Sequence, residues 1–273
     1  MDTHCYLYAI TRADCRMPPL GLGVDPRFRV EAVPCGPLAA LASRVDLDRF
    51  DLAKLEEGTT DVAWLSEVAV RHDWIVREAM RSGPLLPMRL GTVFHSRHSM
   101  LAKLVRHEAE VAGFLRWLGD RREWSVKVYL DETPGRSPGA FPPCAVRASS
   151  EGAAYLAARQ AQGIRRREIQ ATVRQELAAV ADALQRLADD WRQLRPLPRD
   201  LLGRPQKMVW YAACLLARHG EPGFQAACGR LRGALAGQRL DLEVTGPWPA
   251  YHFCPSLDAE GDCVATPTAG HQS

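Results

Sequence analysis

Residues able to do chemistry are scattered along this chain, and none of the standard arrangements closes. Gly21 and Gly23 have the spacing that begins a dinucleotide-binding fingerprint, but Pro26 stands where the third glycine belongs and the residues after it read as a strand rather than a helix. His107 and Glu108 begin the helical zinc-protease motif, yet Val111 occupies the position of the second zinc-binding histidine. His95 and His98, three apart near a helix start, could chelate a metal; surface histidines of a capping turn are the simpler account. His72 falls on the apolar face of a helix, where it could serve as the base of a nucleophile, and it reads instead as a hydrogen-bonded core histidine. Arg165, Arg166 and Arg167, with Arg159 and Arg174, could contact phosphates, but Glu168 and Glu176 interrupt them and suggest a solvated helix face. Eight cysteines include no C-x-x-C pair, so free thiols are expected. No catalytic residue, cofactor site or metal site is expected, and the chain is not expected to be an enzyme.

At 273 residues the chain exceeds the usual span of one core, so two domains are expected. An apolar content of 47% and a charged content of 25% are those of a globular protein. The net charge of +3, from 35 basic and 32 acidic residues, does not call for a nucleic-acid partner. The longest nearly apolar run, 208–217, is too short for the roughly 20 residues that cross a bilayer, so no membrane partner is expected. Met1 leads straight into Tyr6-Leu7-Tyr8 without a basic leader or cleavage site, which predicts a cytoplasmic protein.

The elements that would position any site follow from periodicity. Residues 5–10 are apolar on both alternating faces, as in a strand covered on both sides. Phe28, Val30 and Ala32 alternate with Arg29 and Glu31, which predicts a half-exposed strand, and 38–45 forms another extended stretch. Thr60 and Asp61 can cap a helix carrying Val62, Leu65, Val68, His72, Ile75 and Ala79 on one face. Gly83 and Pro84 end it, and 85–94 reads as one strand. Ser96 can cap a single helix with the stripe Leu101, Leu104, Val105, Val111, Leu115 and Leu118, closed by Gly119.

Trp124, Val126, Val128 and Leu130 then alternate with Ser125, Lys127 and Tyr129 as a strand. The segment 131–143 is too rich in proline for a regular element. Residues 151–194 read as helical, with Val173, Leu177, Val180, Leu184, Leu187, Trp191 and Leu194 on a 3.5-residue seam that is either a coiled-coil surface or the packed face of a long helix. A buried strand over 207–216, a helix opened by Pro222 with Phe224, Cys228, Leu231 and Leu235 inward, and a strand carrying Leu240, Leu242 and Val244 complete the order. That order resembles a split β-α-β sandwich lacking one readable strand. The tail that follows must be extended, because Pro247 and Pro249 exclude helix and sheet interior, and Trp248, Tyr251 and Phe253 carry too much aromatic area to leave in water. They are expected to dock in the groove between domains.

Four motifs resemble the gas-vesicle protein F/L family: Tyr6-Leu7-Tyr8-Ala9-Ile10; Leu86-Pro87-Met88-Arg89-Leu90-Gly91-Thr92-Val93-Phe94; Glu123-Trp124-Ser125-Val126-Lys127-Val128 with Ala154-Tyr155-Leu156 after it; and Gly246-Pro247-Trp248-Pro249-Ala250-Tyr251-His252-Phe253. The chain departs from the pattern at Ala9, Leu90, Ala250 and His252. The resemblance implies an α+β protein of two domains. The first, 1–120, would be a small mixed α/β sandwich; the second, 121–245, a modified ferredoxin-like fold with a long helical extension. A tail over 246–273 would follow, docked over 246–257; 258–273 has no counterpart in the family, and its polar, proline-containing composition predicts a flexible end.

The resemblance also implies a non-catalytic accessory or minor structural protein of gas-vesicle assembly. Its partners would be the hydrophobic shell protein and other accessory proteins, and its place the gas vesicle, in the cytoplasm or at the gas-facing surface of the shell. Tyr6, Tyr8, Arg89 and Phe94 are the candidate contact residues, and Trp248, Tyr251 and Phe253 the interdomain tail. A general protein adaptor, and an enzyme with an unfamiliar site, stand as the other function classes.

Overall fold

The computed structural model describes residues 4–46, 62–132 and 151–257. The chain divides into two compact units, one built from the residues up to Glu123 together with those from Pro247 onward, the other from Trp124–Gly246.

The first unit is organised by β1 (His4–Arg12), which has neighbours on both edges and is buried on both faces. It runs antiparallel to β3 (Leu38–Val45), from His4 opposite Val45 to Arg12 opposite Leu38, with an irregularity between Leu7 and Ala9. β2 (Glu31–Cys35) pairs with the far side of β3, giving the order β2-β3-β1-β4. One sheet face packs on α1 (Val62–Met80): Tyr6, Tyr8, Leu41 and Val45 meet Val68, Ile75, Val76 and Ala79 in one cluster. On the other, α2 (Arg97–Arg106) and α3 (Glu108–Leu118) pack against β1. A sheet covered on both sides needs strands without polar alternation, which is why β1 and β3 read as continuous apolar runs.

Three expectations for this unit need correction. The second strand begins at Glu31, and Phe28 and Val30 lie in the preceding loop, where the Val30 N–H donates to the Gly21 carbonyl at 3.0 Å. The expected strand over 85–94 is two short ones, β4 (Leu85–Pro87) and β5 (Val93–Phe94), both paired with β1. The chain leaves the sheet between them, where Gly91 takes a φ of 84°, a left-handed conformation open to glycine at little cost. The helix capped by Ser96 breaks at His107, so α2 and α3 are separate. Its start is as expected: Ser96 and Ser99 cap each other's backbone N–H. Val105, counted in the stripe, is 63% exposed, because the buried line through Met100 and Leu104 turns it away from the sheet. The proposed cap at Thr60 and Asp61 lies outside the described residues.

In the second unit, β6 (Arg122–Leu130), α4 (Glu151–Leu187), β7 (Asp190–Leu194), β8 (Lys207–Leu216), α5 (Glu221–Leu235) and β9 (Leu240–Trp248) follow in that order. The sheet order is β7-β8-β6-β9, with β7 antiparallel to β8. Trp124, Val126 and Val128, Trp210, Ala212 and Cys214, and Leu240 and Leu242 share one core with Val180 and Leu184 of α4 and Phe224 and Cys228 of α5. The expected helix over 151–194 therefore stops short: Trp191 and Leu194 belong to β7, the strand that could not be read from sequence. Two aspartates make the break. The Asp189 N–H donates to the Leu215 carbonyl at 2.9 Å while its carboxylate accepts from the Ala217 N–H at 2.7 Å, and Asp190 accepts from the Trp191 N–H at 2.7 Å. All four prolines of 131–143 fall outside the described residues.

Candidate functional site

Tyr6, Tyr8, His72 and Ser43 of the first unit are buried polar groups clustered beneath the 88–92 turn. β1 places Tyr6 and Tyr8 on its α1-facing side, two residues apart as the strand period requires, and α1 brings His72 over both rings. His72 Nε2 lies 3.2 Å from the Met88 carbonyl oxygen, which can only accept, so the ring proton sits on Nε2. Nδ1 is then an acceptor, and the Tyr6 hydroxyl donates to it at 2.9 Å. The same Tyr6 oxygen accepts from the Gly91 N–H at 3.0 Å. Tyr8 accepts from the Val24 N–H at 2.8 Å and pairs with Ser43 Oγ at 2.9 Å. Gly23 has no side chain because there is no room for one: a Cβ there would lie 2.6 Å from the Tyr8 hydroxyl and 2.4 Å from Ser43 Oγ. The second glycine of the pair spaced like a phosphate loop thus serves close packing against Tyr8.

Each of these groups is held in its neutral form by burial. Burial drives the Tyr6 phenol far above the ordinary tyrosine range and the Tyr8 phenol up to about 12. Burial also lowers His72 to about 4, against an upward pull from its bond to Met88. The unfolded chain takes that proton near pH 6.5, so between about 6.5 and 4 the unfolded state binds it and the folded state does not. The stability this group contributes is fully present above about pH 6.5 and is lost as the pH falls towards 4. Between about pH 7 and pH 4.5, urea unfolding should show the wild type losing about 2–3 kcal/mol more than His72→Gln, which has no proton to gain. Equal losses in the two proteins would contradict the neutral, committed histidine.

The network fixes the shape of the turn above it. Met88 and Thr92 also bond to β1, the Met88 N–H to the Tyr8 carbonyl and the Leu7 N–H to the Thr92 carbonyl, each at 2.9 Å. Arg89 therefore projects, exposed, from a segment anchored at both ends. The other three candidate contact residues do not reach the surface. Tyr6, Tyr8 and Phe94 are 0%, 0% and 1% exposed, so their rings fill the core and offer no area to a partner. Sequence could not separate these cases, because aromatic residues on a two-sided strand look the same whether the second layer is the protein's own helices or another molecule.

The tail residues lie on the first unit. The Arg77 guanidinium of α1 sits 4.9 Å from the centre of the Trp248 ring, and Arg77 also pairs with Asp73 at 3.5 Å. Burial raises the Tyr251 phenol, with the Asp73 carboxylate adding to the rise. Phe253 is buried, and Leu257 closes a cavity of about 20 Å³ shared with Leu7, Phe94 and Leu104. A further fastening joins the tail to β6. Glu123, 2% exposed at the start of β6, accepts the His252 N–H at 3.0 Å through one oxygen and His252 Nδ1 at 2.6 Å through the other. Glu123 stands out in the sequence only as the first residue of a family motif, and its pairing with His252, 129 positions away, cannot be read there.

The remaining candidates are dispersed. His107 bonds Glu110 at 3.1 Å, and the His95 ring packs against His4 with centroids 5.8 Å apart. Among the described residues no group of three or more His, Cys, Asp or Glu could hold a metal ion. Arg159, Arg167 and Arg174 lie exposed on α4. Cys5, Cys15, Cys35, Cys214, Cys228 and Cys254 are thiols outside any disulfide. No helix among the described residues is long and apolar enough to cross a membrane.

Comparison with known proteins places these features in a family. The model of the gas vesicle synthesis protein GvpL/GvpF family matches residues 4–255. Gas vesicle protein F of Streptomyces sp. (strain CB03234) is 29% identical over 263 residues, spanning 91% of this chain and 98% of that protein. The crystal structure of GvpF from Anabaena sp. PCC7120 superposes with a TM-score of 0.65 at 18% identity, over 95% of this chain and 98% of that one. GvpF from Microcystis aeruginosa gives 0.62 at 18%, over 93% and 99%. At that identity the two structures attest the α+β fold alone.

Proposed function

We propose, from the premise that this chain belongs to the gas vesicle synthesis protein GvpL/GvpF family, that it is a non-catalytic accessory of gas-vesicle assembly which binds the hydrophobic shell protein. Family membership over nearly the whole chain carries the role in gas vesicle formation; the contact with the shell is the finer step. An amphipathic subunit that polymerises into a gas-filled wall exposes apolar surface before it assembles, and a soluble partner covering that surface would hold it back from aggregation.

Two features of the first unit support such a contact. One is Arg89 on its anchored turn. The other is an open groove of about 720 Å³ between the 19–26 loop and α1, lined by Leu22, Trp64, Val68 and Trp74, with Leu22 and Trp74 more than 40% exposed. Arg71 sets its wall, donating to the Leu20 and Leu22 carbonyls at 2.7 Å. Exposed tryptophan and arginine beside a pocket are the residue types that most often anchor a protein interface. Within this reading the second unit is a ferredoxin-like domain, its β-α-β-β-α-β order and β7-β8-β6-β9 sheet being those of the split β-α-β motif, with the N-terminal turns of α4 as the helical extension. The tail serves to pin the structure, and the protein acts in the cytoplasm on the growing vesicle.

A host lacking this chain should form no gas vesicles visible by electron microscopy, and the wild-type gene should restore them. Trp74→Glu, which changes the exposed side of the groove and removes the ring that the Arg71 guanidinium approaches at 4.4 Å, should fail to restore them although the purified variant still folds. Normal vesicles without the chain would refute the assembly role; full rescue by Trp74→Glu would refute the groove as the contact.

A further inference from the structure

At the end of the first sheet where β1 begins and β3 finishes, a second groove of about 600 Å³ opens. Arg27, Arg29, Arg44 and Arg97 line it, and Glu31 is the one carboxylate among its lining residues. These four cations are not equally engaged. Arg27 is held by Asp25 at 2.6 Å and Asp46 at 3.1 Å, and so belongs to the wall. Arg97 reaches Glu31 only at 3.9 Å, with both side chains well exposed, a pair that contributes little. Arg29 and Arg44 have no carboxylate partner among the described residues.

The Arg44 guanidinium lies 4.7 Å from the centre of the Phe28 ring, which Arg27 also approaches at 5.4 Å. Stacking on an aromatic ring uses the face of a guanidinium and leaves its in-plane N–H donors free, the geometry that grips a carboxylate with two parallel bonds. The floor is neutral: Cys5 is 6% exposed, and burial pushes its thiol up to about 11. Its volume falls within the roughly 300–1,000 Å³ range of ligand sites.

We infer that this groove docks an acidic segment of a protein partner, its carboxylates taken by Arg29, Arg44 and Arg97 and its apolar side chains laid along Phe28 and Val33. Charge complementarity selects a peptide over a nucleic acid. Glu31 within the groove and Asp25 and Asp46 behind it would repel an unbroken phosphate backbone, whereas a peptide can alternate carboxylates with apolar residues to match the mixed lining. The inference does not depend on the shell contact, since the groove and its residues are different ones.

The test is fluorescence anisotropy of the full chain with a fluorescein-labelled peptide of alternating glutamate and alanine. Binding should weaken as salt rises, and Arg29→Gln and Arg44→Gln should each weaken it about 10-fold, the loss of one charge-assisted contact. Arg29→Gln breaks no ion pair within the described residues, so an unchanged melting temperature separates lost docking from lost fold. Arg218→Gln, an exposed residue of the second unit, should bind as wild type. The proposal is overturned if the wild type does not bind the peptide, if both groove variants bind it as well as wild type, if a lysine-alanine peptide binds equally, or if single-stranded DNA of matching charge binds more tightly.

Discussion

Tyr6→Ala is expected to destabilise the protein by about 5 kcal/mol, a large share of the roughly 5–15 kcal/mol that keeps a typical protein folded. Removing a fully buried aromatic ring costs roughly 3–5 kcal/mol through lost burial and the cavity left behind. The hydroxyl adds to this, because His72 Nδ1 and the Gly91 N–H both lose their partner in a place water does not reach, at roughly 1–3 kcal/mol for each group left unmade. Partial collapse of the site keeps the sum below simple addition. Tyr6→Phe isolates the second contribution and should cost about 2 kcal/mol. Urea unfolding of the two variants at neutral pH measures both numbers. A Tyr6→Phe protein as stable as wild type would show that the hydroxyl does not anchor the 88–92 turn.

Glu123→Ala is expected to cost about 3 kcal/mol and to free the tail. A buried carboxylate that accepts a backbone N–H and a ring N–H is worth most when removed alone, since the His252 N–H then faces no acceptor. Because the His252 side chain is 36% exposed, water can replace its bond, and the backbone contact carries most of the cost. Amide hydrogen exchange at His252 should accelerate by about a hundredfold, the factor that corresponds to roughly 3 kcal/mol of local opening. Glu123→Gln, which keeps one acceptor oxygen, should show a smaller change. Unaltered exchange in Glu123→Ala would mean that Trp248, Phe253 and Leu257 hold the tail without it.

Strands buried on both faces were the most legible part of the fold. The stretch expected over 38–45 and the strand expected over 207–216 appear with those bounds, and 5–10 lengthens only to His4–Arg12. Uninterrupted apolar residues between turn formers leave few alternatives. Breaks inside otherwise consistent patterns were not legible. Leu184, Leu187, Trp191 and Leu194 keep helical spacing through a helix end and into a strand, and the reason for the change is a pair of aspartates bonding to the end of β8 and to the start of β7, a tertiary fact. The split of 85–94 has the same origin, since Tyr6 and His72 draw the turn residues out of the sheet.

The site divides in the same way. His72 was legible as a core histidine because its helical face was apolar, and its two bonds justify that expectation. Arg89 and the aromatic residues came from motif resemblance, which marks positions without saying which face the solvent. Three of the four proved to be core. The groove arginines escaped notice because Arg27 and Arg29, Arg44 and Arg97 converge only when the loop before β2, β3 and α2 are assembled.

The central claim is that this chain acts in gas-vesicle formation by direct contact with the hydrophobic shell protein. Co-expression with the main shell protein followed by size-exclusion chromatography tests it most directly. Soluble shell protein should co-elute with the wild type and should be lost with Arg89→Glu or Trp74→Glu while each variant still elutes as a folded, monodisperse chain. Elution of a folded, monodisperse wild-type chain without shell protein would contradict it.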